Sequence, residues 1–76
     1  MAVLERLQRI LREFTGNQQL VVKNETTITI DIGLDSYDLA SLLDVVESHF
    51  VVDIPNRVAM QMHTVGDLVA YIEQNK

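Results

Sequence analysis

The feature that most limits how this chain can fold is a row of apolar residues in its middle third. Within residues 36–50 the apolar side chains recur at intervals of three and four positions, at Leu39, Leu42, Leu43, Val46 and Phe50. This spacing places them on one face of an α-helix of about four turns. Such a helix is stable only when other elements cover its apolar face. The segment therefore predicts a packed helix, and Asp35 with Asp38 resembles the capping box that opens many helices.

Two further segments have the same helical spacing. The first of these segments, near the N-terminus, has apolar residues at Leu4, Leu7, Ile10, Leu11 and Phe14. Gly16 follows it and suits a helix that ends in the left-handed conformation. The last opens with a second capping pattern, Thr64 with Asp67. Its inward positions are Val65, Leu68, Val69 and Ile72. Pro55 suits a first helical turn, so we expect a short helix over residues 56–62.

Residues 17–35 can be interpreted in two ways. In "TTITIDIGL" four apolar residues alternate with polar ones, as in a half-buried strand: Ile28, Ile30, Ile32 and Leu34. The other strand candidate, residues 20–22, would give at best a marginal isolated hairpin. We therefore predict a long ordered loop whose alternate apolar side chains enter a helical core. The predicted fold is an all-α four-helix bundle with three longer helices, one short helix and a long loop between helices 1 and 2.

The composition narrows the class of protein. A chain of 76 residues can bury one core, so we expect a single domain over residues 1–76. The absence of cysteine excludes disulfides, thiolate nucleophiles and cysteine zinc sites. No apolar run is long enough to span a membrane or to form a signal peptide, so we expect a soluble cytoplasmic protein without membrane insertion. Arginines on the first helix could imitate a mitochondrial leader, but Glu5 and Glu13 argue against one.

Acidic residues are concentrated around one serine, Ser36. The net charge is −5, and residues 24–53 hold seven acids without any Lys or Arg: Glu25, Asp31, Asp35, Asp38, Asp44, Glu47 and Asp53. Such a segment repels phosphate backbones and anionic lipid, so we expect no nucleic acid or membrane partner. It favours a protein with a basic surface, although an acidic face that only keeps the protein soluble would give the same pattern.

Ser36 could serve in catalysis, in helix capping or as the carrier of a covalent group. Catalysis is disfavoured, because Asp38 breaks the nucleophile-elbow pattern Gly-x-Ser-x-Gly. His49 lies 13 residues along the same helix, about 20 Å away. His63 could act as a base only through an arrangement that the sequence does not reveal. A calcium-binding loop is disfavoured too, because an apolar residue, Leu42, occupies the position of its bidentate Glu.

Four ordered segments resemble the acyl carrier protein family. They are "GLDS", the striped helix "LASLLDVVESHF", the turn "VDIP" and the last helix "TVGDLVAYI". These look like the family's Asp-Ser-Leu motif, its second helix, its Ile-Pro turn and its Thr-Val start of the final helix. The resemblance, from Asp31 to Ile72, implies an acyl-carrier-like bundle that is not an enzyme. It also implies that a phosphopantetheinyl transferase attaches 4′-phosphopantetheine from coenzyme A to Ser36, and that the thiol of this arm holds acyl groups as thioesters.

The resemblance further implies a monomeric carrier that docks acyl-loading and acyl-transfer enzymes with basic surfaces. The expected docking residues are Asp35, Tyr37, Asp38, Ser41, Asp44 and Glu47. Several positions depart from the family pattern: Tyr37, Ser41, Asp44 and the Asn-Arg-Val opening of the third helix at residues 56–58. These departures favour a dedicated secondary pathway, polyketide, peptide-like or lipid-modifying, as an alternative to fatty acid synthesis. The rival interpretation is a small helical protein-interaction module without a prosthetic group, in which Ser36 is only a cap.

Overall fold

Four helices form the protein in the computed structural model, which describes residues 2–75. They are α1, Val3–Thr15; α2, Ser36–Phe50; α3, Asn56–Ala59; and α4, Val65–Asn75. Over these residues the backbone forms no strand, and its one β-bridge is an isolated antiparallel pair between Thr27 and Thr64. The predicted all-α bundle with a long loop between α1 and α2 is confirmed. None of the helices in the described part of the chain has the length and apolar character needed to cross a membrane.

The helices pack around a cluster of buried apolar side chains. Each predicted stripe contributes residues that are at most 1% exposed: Leu7 from α1, Leu42 and Val46 from α2, and Leu68 and Ile72 from α4. The described residues bury no polar or charged side chain, so the hydrophobic effect supplies most of the stability of this core. Helix α1 packs against both α2 and α4 and thereby covers the apolar face that each of them presents.

Polar contacts fix the ends of the helices. Helix α1 ends at Gly16 with φ 74°, which confirms the predicted left-handed cap. Arg6 connects α1 to the carboxyl end of α2, because its guanidinium donates to the carbonyl oxygen of His49 at 3.2 Å and lies 4.4 Å from the centre of the Phe50 ring. A cation at this end of α2 also interacts favourably with the helix dipole.

Helix α4 opens with the complete capping box that the sequence predicts. The N–H of Asp67 donates to Oγ1 of Thr64 at 3.1 Å. The N–H groups of His63 and Thr64 donate in return to Oδ2 of Asp67, at 3.0 and 3.1 Å. These two amide donors, that of His63 first, lower the pKa of Asp67 below its ordinary value of 3.8.

Hydrogen bonds hold the loop between α1 and α2 against two helices. The N–H of Val22 donates to Oε1 of Gln8 in α1 at 3.0 Å. Near the start of α4, the N–H of Gly66 donates to the carbonyl oxygen of Asn24 at 2.8 Å. The two backbones approach so closely there that a Cβ atom on Gly66 would lie 2.7 Å from that oxygen. The loop is therefore a packed part of the fold, as predicted.

The prediction that the alternate apolar residues of this loop all enter the core is wrong at Ile30. Ile28 and Leu34 are buried, but Ile30 is 81% exposed. Its neighbours form a turn in which the N–H of Asp31 donates to the carbonyl oxygen of Thr27 at 3.1 Å. The N–H of Thr27 donates in return to Oδ2 of Asp31 at 2.9 Å. A turn breaks the two-residue repeat of an extended chain, so Ile30 points to solvent.

Helix α3 is shorter than predicted. It ends at Ala59, whereas the sequence indicated a helix as far as residue 62. The N–H groups of Gln61 and Met62 donate to carbonyl oxygens three positions earlier, at 3.0 and 3.1 Å, so the chain leaves the helix in tight turns. Met62 then returns to the core. Pro55 precedes α3 as its N-cap residue with ψ 157°, instead of lying inside the first turn.

Candidate functional site

Ser36 is the first residue of α2, and its side chain is exposed. The N-cap of this helix is Asp35, whose Oδ1 accepts the N–H of Asp38 at 2.8 Å. Within residues 2–75 the return bond from the Asp35 N–H to the Asp38 carboxylate is absent, so the predicted cap is confirmed in one direction only. The hydroxyl of Ser36 has no hydrogen-bond partner in the same residues. Capping is thus performed by Asp35, and the Ser36 hydroxyl remains available for another role.

Ser36 lines an open groove of about 550 Å³ between α2 and α3. The apolar residues of the groove are Leu39, Ala40, Leu43, Ile54, Ala59, Met60 and Met62. Its other polar residues are Thr29, Asp44, Glu47, Asn56 and His63. An exposed hydroxyl, the apolar surface of the groove and two carboxylates therefore share one side of the molecule.

The structure brings His63 to the same groove as Ser36, which the sequence did not reveal. The carbonyl oxygen of His63 accepts the N–H of Ile28 at 3.0 Å, and the carbonyl oxygen of Ile28 accepts the N–H of Leu34 at 3.3 Å, two residues before Ser36. No hydrogen bond joins Ser36 to His63 or His49 in the described chain, so the serine lacks the adjacent base that an activated nucleophile needs. The described residues also contain no cluster of three side chains able to hold a metal ion.

The six residues predicted to dock partners differ in exposure. Three are exposed: Asp35, Tyr37 and Asp44. Three are half-buried: Asp38, Ser41 and Glu47. Asp44 and Glu47 line the groove with Ser36, whereas the other three α2 residues lie outside its lining. Glu47 has a structural contact as well, because its Oε2 accepts the N–H of Ile54 at 2.7 Å and holds the segment that leads to α3.

Thr29 and Met60 also line the groove, and no sequence motif indicated either of them. Thr29 lies in the turn over residues 27–31, which the reciprocal side-chain bonds of Thr27 and Asp31 support. A Thr and an Asp four residues apart could have indicated that turn. Met60 directly follows the last residue of α3, and no local signal in the sequence marked that end.

An exposed serine at the first residue of a helix, beside an apolar groove, is the arrangement expected of a small helical carrier. Comparisons with known proteins also indicate a carrier protein. Residues 5–72 match the family model described as phosphopantetheine attachment site. The chain is 36% identical over 76 residues to an acyl carrier protein of Wolinella succinogenes, with 100% of both chains covered. It is 37% identical over 76 residues to one of Helicobacter pylori, covering 100% of this chain and 97% of the relative.

The fold is similar to that of a solved carrier. The solution NMR structure of holo acyl carrier protein from Geobacter metallireducens superimposes with a TM-score of 0.85 at 23% identity, covering 97% of this chain and 85% of that one. This likeness supports the four-helix architecture.

The chain belongs to the phosphopantetheine attachment family, in its acyl carrier protein branch. The resemblance seen in the sequence is therefore confirmed, and the protein is a carrier and not a catalyst. Its cofactor is a covalently attached phosphopantetheine, which supplies a thiol that this chain lacks. The structure suits such a group, because the exposed Ser36 is among the residues that line a groove.

Proposed function

We propose that Ser36 is the attachment residue of 4′-phosphopantetheine and that acyl intermediates are carried on this arm as thioesters. The observation that supports this most directly is the Ser36 hydroxyl itself, exposed at the first residue of α2 and relieved of capping by Asp35. A phosphopantetheinyl transferase can reach such a hydroxyl and supply the base that the chain lacks. The first turn of a helix is also a favourable place for the phosphate of the arm.

The arm accounts for how a chain without cysteine can hold acyl groups. A thioester needs a thiol, and none exists among the 76 residues. The groove beside Ser36 offers apolar surface next to the attachment point. The match of residues 5–72 to the phosphopantetheine attachment family favours this proposal over the alternative, a helical interaction module without a prosthetic group.

Partner enzymes would recognise a docking surface formed by Asp35, Tyr37, Asp38, Ser41, Asp44 and Glu47. Family membership implies a phosphopantetheinyl transferase and acyl-handling enzymes as partners. The acids of this surface favour partners with basic surfaces, since complementary charge raises the association rate without requiring tight binding. Tyr37, which lies between Asp35 and Asp38 in the sequence, is 79% exposed and offers partners an aromatic contact.

The carrier would act as a single domain over residues 1–76, as a monomer in the cytoplasm. Its pathway is fatty acid synthesis or a dedicated secondary pathway. The relatives at 36% and 37% identity, both acyl carrier proteins, favour fatty acid synthesis. The positions that depart from the family pattern, Tyr37, Asp44 and the Asn-Arg-Val of residues 56–58, favour a pathway with its own enzymes.

Intact mass spectrometry tests the attachment. The wild type and Ser36→Ala are incubated with coenzyme A, magnesium and a broad-specificity phosphopantetheinyl transferase. We expect the wild type to gain the mass of one phosphopantetheine and Ser36→Ala to gain none. Ser48→Ala is the matched control, because Ser48 is an exposed serine of the same helix that does not line the groove. This variant should be loaded like the wild type.

Ser36→Ala should remain folded, so that its failure to accept the arm is informative. The Ser36 hydroxyl has no partner in the described chain, and we expect a change in unfolding free energy of at most about 0.5 kcal/mol. A mass gain in Ser36→Ala would mean that the arm is attached to a residue other than Ser36. No gain in the wild type, with folded protein confirmed by circular dichroism, would favour the interaction module.

A further inference from the structure

A phosphodiester on Ser36 would enter a strongly acidic part of the surface. Asp35 precedes Ser36, Asp38 follows it by two residues, and Asp44 lines the same groove. Residues 24–53 contain no Lys or Arg that could balance the added negative charge. Because like charges at short range raise the energy of the attached group, a hydrogen-bond donor near Ser36 would stabilise it.

The first turn of α2 supplies only part of this compensation. The N–H of Asp38 already donates to the Asp35 carboxylate at 2.8 Å, and the N–H of Leu39 donates to the Asp35 carbonyl oxygen at 2.9 Å. The Asp35 carboxylate lies at the same positive end of the helix, so repulsion between the two anions offsets part of the attraction of the helix dipole for the phosphate. Further donors must therefore come from another element.

The turn over residues 27–31 and the residue before α4 provide two such donors. Within the described chain, His63 is the one groove residue whose side chain can carry a positive charge, and Thr29 adds a hydroxyl. Both side chains are exposed, so solvent is displaced at little cost when they bind a ligand. Among the described residues, Asp67 is a charged neighbour of His63, since the backbone N–H of His63 and, to a smaller extent, its side chain lower the pKa of Asp67. Ile28 links these segments to the start of α2, because its N–H donates to His63 at 3.0 Å and its carbonyl oxygen accepts the N–H of Leu34 at 3.3 Å.

We propose that His63 and Thr29 hold the phosphodiester of the arm on Ser36. The imidazole N–H and the threonine hydroxyl donate to its two non-bridging oxygens, and imidazole has an N–H donor in both its neutral and its protonated form. These bonds fix the first segment of the arm over the groove. The inference rests on the proposed function, because it requires the arm to be attached to Ser36.

NMR spectra of the histidine rings test this contact, because the chain has two histidines and one of them is an internal control. His49 lies 13 residues along α2 from Ser36, about 20 Å away. Conversion from apo to holo protein, verified by intact mass, should shift the ring proton resonances of His63 and leave those of His49 unchanged. The His63 ring should also show NOEs to the methylene protons that follow the phosphate.

The ³¹P resonance of the phosphodiester, measured in variants of the holo protein, tests the same contact. In the holo protein, His63→Ala and Thr29→Val should each shift the ³¹P resonance from its wild-type position. His63→Lys keeps an N–H donor at this position, so its ³¹P resonance should lie closer to the wild type than that of His63→Ala. His49→Ala is the matched control and should leave the resonance unchanged. Thermal unfolding and intact mass confirm that each variant is folded and fully loaded.

The results distinguish failure of the contact with the phosphodiester from failure of the proposed carrier function. A loaded wild type whose His63 ring resonances match the apo protein, together with an unchanged ³¹P resonance in His63→Ala, would overturn the contact and leave the carrier function intact. A wild type that gains no mass would overturn the proposed function, and the contact with it.

Discussion

Among single residues, Val51 carries backbone strain. It ends α2 with φ 54° and ψ 51°, in the left-handed region that β-branched residues rarely adopt. Its side chain is 87% exposed, so burial does not compensate the strain. Neighbouring contacts impose the conformation: the Tyr71 hydroxyl donates to the carbonyl oxygen of Asp53 at 2.8 Å, and Ile54 donates to Glu47 at 2.7 Å. The packing of the segment between α2 and α3 thus decides the backbone angle of Val51.

Val51→Gly should raise the free energy of unfolding by about 1 kcal/mol. The left-handed conformation costs a β-branched residue roughly 1–3 kcal/mol, and the greater freedom of glycine in the unfolded chain offsets about 0.5–1 kcal/mol of this gain. Urea unfolding of the two proteins measures the difference. Val21→Gly is the control, because Val21 is also exposed but has no positive φ, and this variant should be less stable than the wild type. If Val51→Gly is no more stable than the wild type, the left-handed backbone at Val51 does not destabilise the protein.

Among elements, the contact between the α1–α2 loop and the start of α4 depends on the absence of a side chain at Gly66. Replacing a glycine in an exposed helix by alanine normally raises the unfolding free energy of the protein by about 0.5–1 kcal/mol. At Gly66 the new Cβ would lie 2.7 Å from the backbone oxygen of Asn24, so one of the two backbones must shift. We therefore expect Gly66→Ala to lower the unfolding free energy by about 1–3 kcal/mol. Thermal unfolding shows whether the substitution stabilises or destabilises the protein. A melting temperature above that of the wild type would mean that the loop shifts away from the new Cβ atom without loss of stability.

The capping box of α4 should make stability depend on pH in the acid range. Amide donors from His63 and Thr64 lower the pKa of Asp67 below its ordinary value of 3.8. The unfolded chain therefore binds a proton at higher pH than the folded chain, and the contribution of Asp67 is fully present above about pH 3.8 and lost as the pH falls through the folded pKa. Asp67→Asn removes this dependence.

Denaturant unfolding across this range measures the effect in both proteins. The stability difference between the wild type and Asp67→Asn should be constant near neutral pH and should shrink as the pH falls below about 4. An NMR titration of the Asp67 carboxyl carbon checks the direction of the pKa shift independently. A difference that does not change with pH would mean that the carboxylate charge adds nothing to the cap.

Local patterns predicted the helices but not the long-range contacts between them. The stripe from Leu39 to Phe50 and the cap at Asp35 are set by neighbouring residues, so spacing was enough to identify α2 and its start. The exposure of Ile30 depends on a turn whose side-chain bonds override the alternating pattern. The approach of His63 to the groove depends on a backbone bond to Ile28, 35 residues earlier in the chain, and no periodicity contains that information. Local patterns were therefore enough to place Ser36 at the start of α2, but not to place His63 in the same groove.

For the whole molecule, the uneven distribution of charge should control how partners approach. Residues 24–53 hold seven acids without Lys or Arg, while α1 carries three arginines. Within residues 24–75 the one Lys or Arg is Arg57, an exposed residue of α3. A partner with a basic surface is therefore attracted to the side of Ser36 and is opposed locally at α3. This polarity favours one orientation of docking, in which Ser36 faces the enzyme.

The rate at which a phosphopantetheinyl transferase loads the carrier should reveal this attraction. At ionic strength above about 0.1 M the Debye length falls below about 10 Å, so added salt should lower kcat/KM for the carrier. Asp44→Asn should lower kcat/KM at low salt by roughly two- to fivefold and weaken its salt dependence, as expected when one exposed charge pair is lost. Asp53→Asn is the matched control, because Asp53 is an exposed acid outside both the groove and the docking surface. Equal effects of the two substitutions would mean that net charge, and not the docking surface around Ser36, governs the encounter.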